Sequence, residues 1–116
     1  MGTMGHRHSV SYALSRRSAF VLRVKPDRID DYVEAHRAVW PEMLDALRAA
    51  GIRNYTIFRA RNEVFGYFES DDLARAAAYL DAQEVSTRWQ DAMAELLEER
   101  VPDAGPPPLE EIFRLD

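Results

Sequence analysis

The stretch DDYVEAHRAVWPEM, Asp30–Met43, decides how this chain is built. Together with its flanks it carries apolar or aromatic residues at Ile29, Tyr32, Val33, Val39, Trp40, Met43, Leu44 and Leu47, a helical period. Pro41 interrupts it. Proline has no N–H for the helix ladder and pushes the preceding Trp40 out of the helical region. The pattern therefore predicts a kink or restart, with Pro41 near the first position of a second helical segment. Gly51 is expected just past the end, where a left-handed residue closes a helix. Within the stretch Tyr32, His36 and Trp40 stand four residues apart, a spacing that stacks side chains along one helical face.

The flanks alternate instead. Phe20, Leu22 and Val24 interleave with Val21, Arg23 and Lys25, the period of a strand, and Pro26-Asp27 ends it. Beyond Gly51, Ile52 to Phe58 reads as a second strand, Arg59 to Glu63 as a turn around Asn62, and Val64 to Glu69 as a third. Ser70 is expected to cap a short helix with Leu73, Ala77 and Leu80 inward. A later helix begins near Ser86, with Trp89, Met93, Leu96 and Leu97 inward. Pro102–Pro108 is an extended linker, and the alternation of Leu109, Glu111, Phe113 and Leu115 predicts a last strand over Leu109–Leu115. The order β-α-β-β-α-β is that of an α+β, ferredoxin-like fold, an antiparallel sheet with helices on one face. Its other face is bare in a single copy, which predicts a ligand cleft or a sheet-to-sheet dimer.

With 116 residues, 47% of them hydrophobic, the chain has material for one domain, expected over residues 19–116 behind a disordered leader over residues 1–18. The net charge is −5, and the leader holds Arg7, Arg16 and Arg17 without an acid, so the domain is more acidic still. Nucleic acid and anionic membranes are poor partners for such a surface. No apolar run reaches the roughly 18 residues of a membrane span. The leader lacks the apolar core of a secretory signal. Zero cysteines exclude disulfides and thiolate chemistry and suit a cytoplasmic setting. No acid–histidine spacing repeats and the glycines are scattered, so neither a metal site nor a nucleotide cofactor is expected. His6 and His8, in the leader, read as solvated.

His36 is then the one histidine of the domain, the side-chain type whose ordinary pKa lies nearest neutrality. Flat aromatic faces on either side of an imidazole suit a small polar ring: the faces stack and the imidazole moves a proton. A histidine packed at a helix–sheet interface, with both nitrogens satisfied, accounts for the same spacing. Tyr55, alternating with Asn54 and Thr56, points to one sheet face and could bind a hydroxyl or serve as a strand aromatic. Trp89, four residues from both Val85 and Met93, reads equally as core or as a stacking surface.

The segments AFVLRVKPDRIDDYVEAHRAVWPEM, GIRNYTIF, EVFGYFE, VSTRWQDAM and LEEIFRL, in this order over Ala19–Leu115, resemble the L-rhamnose mutarotase family. The resemblance implies a dimeric α+β fold that interconverts the α and β anomers of a 6-deoxyhexopyranose without metal or cofactor. By position, His36 matches the proton-donating histidine, Tyr32 and Tyr55 the sugar-contacting tyrosines, and Trp89 the first of a tryptophan pair. Family members typically read Arg-Trp-Trp where this chain has Arg88-Trp89-Gln90, so Gln90 brings an amide where an indole is usual. That exchange trades stacking surface for a donor and an acceptor, which would suit a sugar of different hydroxyl orientation or a more polar one, or weaken sugar binding altogether. A cofactor-free monooxygenase on the same scaffold and a non-catalytic sugar-binding module are the rival expectations.

Overall fold

In the computed structural model, which describes residues 16–102 and 105–115, the first described element is β1 (Arg17–Arg23). A 3-10 turn over Pro26–Arg28 leads into α1 (Ile29–Arg37), and α2 (Pro41–Ala49) follows after a break. The hairpin β2 (Arg53–Ala60) and β3 (Glu63–Glu69) comes next, then α3 (Leu73–Asp81) and α4 (Glu84–Ala94). Pro41 takes the first position of α2, with Trp40 extended before it (φ −55°, ψ 133°), so the helix restarts as its proline dictates. Gly51 has φ +86° directly after the last turn. The leader lies largely outside the described residues, and β1 begins at Arg17, two residues before the expected domain boundary.

β3 lies between β1 and β2 and pairs antiparallel with both. β1 and β2 are therefore parallel, and α1 and α2 form the crossover between them, leaving the gap that the hairpin fills. Phe20, Gly66 and Ile57 form one row across the sheet on the helix-covered face, and Leu22, Val64 and Arg59 form the next. Val24, Val64, Tyr32, Met43, Trp89 and Met93 are buried between sheet and helices. The opposite face carries the row Val21, Phe65 and Phe58, whose last two members are 38% and 60% exposed.

Three expectations are corrected. Asp72, not Ser70, caps α3: its carboxylate accepts from the Arg75 N–H at 3.0 Å, while the Ser70 hydroxyl accepts from the Asp72 N–H. Ala76 rather than Ala77 is the buried alanine of that helix, since the inward stripe runs Leu73, Ala76 and Leu80, three and four residues apart. Leu109–Leu115 is not a strand. The free edge of β1 is met by a single antiparallel bridge, Val24 with Leu97, and again where the Leu109 N–H donates to the Ala19 carbonyl at 2.7 Å. Prolines before Leu109 offer no N–H to a ladder, and Ile112, Phe113 and Leu115 are more than three-quarters exposed, with nothing to pack on in one copy. Among the described residues no helix is long and apolar enough to cross a membrane.

Candidate active site

α1 projects Tyr32 and His36 from successive turns, so their rings lie 4.3 Å apart at 30°. His36 Nδ1 is 2.8 Å from the Tyr32 carbonyl oxygen. A carbonyl only accepts, so Nδ1 carries a proton and donates it, which fixes the tautomer and leaves Nε2 as the nitrogen free to meet a ligand. Nε2 has no protein partner among the described residues, and no buried side-chain polar atom there lacks one. Nε2 is thus open to solvent rather than sealed in the core, and the half-buried ring is a poor candidate for a purely structural histidine.

Trp89, from α4, sets its ring against His36 at 5.3 Å and 81°. Trp40 meets the same indole at 5.1 Å and 87°, and the Arg88 guanidinium lies 5.7 Å over Trp40. The predicted Tyr32–His36–Trp40 stack therefore holds for its first two members only. α1 ends at Ala38 (φ −138°, ψ 56°), and the restart at Pro41 turns Trp40 away from the helical face onto Trp89. Both tryptophans of the chain end in one cluster with the imidazole.

Tyr55 reaches the helix-covered face through an irregularity in β2. Arg53 is opposite Glu69, but Thr56 rather than Tyr55 is opposite Tyr67. The extra residue sits by Asn54, whose φ of +51° is a conformation asparagine tolerates better than most residues, and its amide donates to Glu69 at 2.9 Å. Without that residue Tyr55 would point to the bare face. With it, Tyr55 packs edge-on to Phe20 (6.5 Å) and against Phe68 (5.3 Å). Burial pushes the Tyr32 phenol up to about 12. Tyr55 is also driven well above the ordinary phenol range, by burial first and the neighbouring Tyr32 second, although 40% of the residue remains exposed. Both phenols are therefore neutral hydrogen-bonding groups near pH 7 and not bases.

A cleft of about 330 Å³ opens between α1 and β2 at this cluster, within the size range of small-ligand sites. Tyr32 and His36 line it, with Val33, Ile57 and Val64 as an apolar wall and Arg37 and Arg59 as its charged members. None of those last five was a sequence candidate. For Arg59 a signal existed, since it shares the parity of Tyr55 along β2. A larger hollow of about 680 Å³ at the β2–β3 turn holds none of the candidates, and its Arg23 already faces Glu63 at 3.6 Å, so the smaller cleft is the candidate site. Gln90 is exposed on α4, one helical step of about 100° round from Trp89. Among the described residues no group of three His, Asp or Glu side chains is placed to hold a metal.

The sequence profile of L-rhamnose mutarotase matches residues 17–115. An L-rhamnose mutarotase of Pectobacterium carotovorum subsp. carotovorum (strain PC1) is 39% identical over 104 residues, covering 86% of this chain and 98% of the relative. One from Bacillus subtilis (strain 168) is 34% identical over 105 residues, covering 87% and 99%. The crystal structure of an L-rhamnose mutarotase from Formosa agariphila superposes with a TM-score of 0.71 at 29% identity, covering 88% of this chain and all of that one. These relatives lend no support to the oxygenase or binding-module expectations. Profile, relatives and fold agree: the chain belongs to the L-rhamnose mutarotase family.

Proposed function

We propose that this chain is a cytoplasmic mutarotase that interconverts the α and β anomers of L-rhamnose or a closely related 6-deoxyhexopyranose, with His36 as the proton carrier. The supporting observation is the state of one ring: Nδ1 anchored on the Tyr32 carbonyl and Nε2 open at a sugar-sized cleft. In the imidazolium form, Nε2–H gives its proton to the ring oxygen as the bond from that oxygen to the anomeric carbon breaks. The anomeric hydroxyl loses its proton in the same step, leaving the open-chain aldehyde. Rotation about the bond next to the carbonyl presents its other face, and ring closure returns both protons. Such general acid–base work is worth roughly 10²–10⁴-fold, enough for a reaction that already proceeds in water.

Tyr32 and Tyr55, kept neutral, donate to sugar hydroxyls, while Trp89, only 8% exposed and outside the cleft lining, backs the imidazole instead of the sugar. The cleft lining contains no carboxylate, so water entering the open mouth takes the anomeric proton. Magnetisation exchange between L-rhamnose anomers, followed by saturation-difference NMR, tests the assignment. His36→Asn should abolish protein-dependent exchange and keep the circular dichroism spectrum of the parent. Exchange persisting in that variant removes His36 from the reaction.

The working unit in this reading is a homodimer. The bare sheet face sets Val21, Phe65 and Phe58 beside the row Ala19, Tyr67 and Thr56. Arg23 with Glu63 and Arg17 with Glu69 close it at its two ends. Opposite charges at each end of an apolar centre make the face complementary to a copy of itself, as a two-fold contact requires. A second copy would also give the exposed Leu109, Ile112, Phe113 and Leu115 something to cover.

A further inference from the structure

In an acidic chain, the charged lining of the His36 cleft is purely cationic. Arg59 occupies a position that strand alternation normally gives to a core residue. It stands on the helix-covered face of β2, two residues beyond Ile57 and opposite Val64, which is 2% exposed. Its Nε–H donates to the Arg61 carbonyl at 2.6 Å, which orients the guanidinium and leaves both terminal nitrogens available. No carboxylate lies within ion-pairing distance of it among the described residues. Arg37, next to the catalytic imidazole on α1, lines the same cleft, and its one ion pair among the described residues runs along its own exposed helix surface to Glu34.

A planar cation held by one backbone bond at the rim of a ligand cleft matches an oxyanion. We propose that Arg59, assisted by Arg37, is an anion-recognising subsite of this cleft, and that the enzyme acts on sugars bearing a carboxylate or phosphate group as well as on neutral 6-deoxyhexoses. In a hexuronate the carboxylate is attached to the carbon beside the ring oxygen, where a 6-deoxy sugar carries its methyl. Protonation of that oxygen by His36 and capture of the neighbouring carboxylate by an arginine are then compatible demands on one bound ring. The inference rests on the mutarotase reading and adds a substrate class to it.

Anomer exchange on the full chain tests this with matched probes: D-galacturonate against D-galactose for the carboxylate, D-glucose 6-phosphate against D-glucose for the phosphate, and L-rhamnose as reference. The readout is the acidic-to-neutral ratio of kcat/KM within each pair. We expect a ratio of about tenfold or more in at least one pair, falling as salt is raised. Arg59→Gln should bring that ratio close to one, and Arg59→Lys should restore part of it. A merely structural role would lower both members of a pair together and leave the ratio unchanged. Preference in one pair alone identifies the anion. Ratios near one in both pairs with L-rhamnose exchange accelerated overturn the subsite and leave the mutarotase standing. Should no sugar exchange, the mutarotase reading falls, and ligand-observed NMR titration of D-galacturonate and D-glucose 6-phosphate decides the subsite. Binding weakened by Arg59→Gln supports it, and unaffected or absent binding refutes it.

Discussion

Gly66 should be intolerant of even one methyl group, for a reason that lies across the sheet. It faces Phe20 in the β1–β3 register, and the Phe20 ring rests over the glycine. A Cβ at position 66 would lie 2.2 Å from Phe20 Cζ and 2.4 Å from Cε2, more than 1 Å inside ordinary contact. Phe20 is only 9% exposed, so the ring can escape only by swinging toward Tyr55 or outward into water. Loss of most of a phenylalanine's burial costs about 1.5–3 kcal/mol. Alanine in a strand recovers roughly 0.5–1 kcal/mol over glycine. The balance for Gly66→Ala is a loss of about 1–2 kcal/mol, or roughly 5–15 °C in Tm for a domain this size. Urea denaturation with a double-mutant cycle isolates the cause. In a Phe20→Ala background the same substitution meets no ring and should be neutral or stabilising. An equal cost in both backgrounds, or a stabilised Gly66→Ala single variant, refutes the packing argument.

Two further outcomes follow from other parts of the molecule. Tyr32 has its phenol pushed up to about 12 against an unfolded value near 10, so the fold favours the protonated form. That contribution is complete below pH 10 and is lost as pH rises through 12. Wild-type urea midpoints between those limits should fall more steeply than those of Tyr32→Phe, by about 3 kcal/mol in all, and parallel curves would contradict the burial argument. If the bare sheet face is the proposed dimer interface, the 13.3 kDa chain should sediment as a dimer and Phe58→Asp as a monomer of unaltered circular dichroism. An unchanged mass would move the interface elsewhere.

How far the sequence revealed this site depends on which force placed each residue. Local forces were legible. The steric demand of Pro41, the left-handed Gly51 and the one-turn spacing of Tyr32 and His36 all act within a few residues, and each appears where expected. Alternation correctly put Tyr55 opposite Asn54 and Thr56 but could not say which sheet face it would meet. One additional residue beside Asn54 decides that, and its effect exists only once β2 is in register with β3. Trp40 illustrates the same limit. Its spacing suggested a third stacked ring, whereas the proline that breaks the helix sends it to Trp89, a residue 49 positions later. The last segment alternates as a strand should, yet pairing is a property of two edges, and within one copy its apolar side chains find no surface. The cleft wall was harder to read for a related reason. Arg59 reads as a turn residue by composition, and only the continuation of β2 to Ala60 carries it onto the helix-covered face, where it lines the cleft. Sequence pattern thus named the candidate residues, and strand register decided which of them share a face.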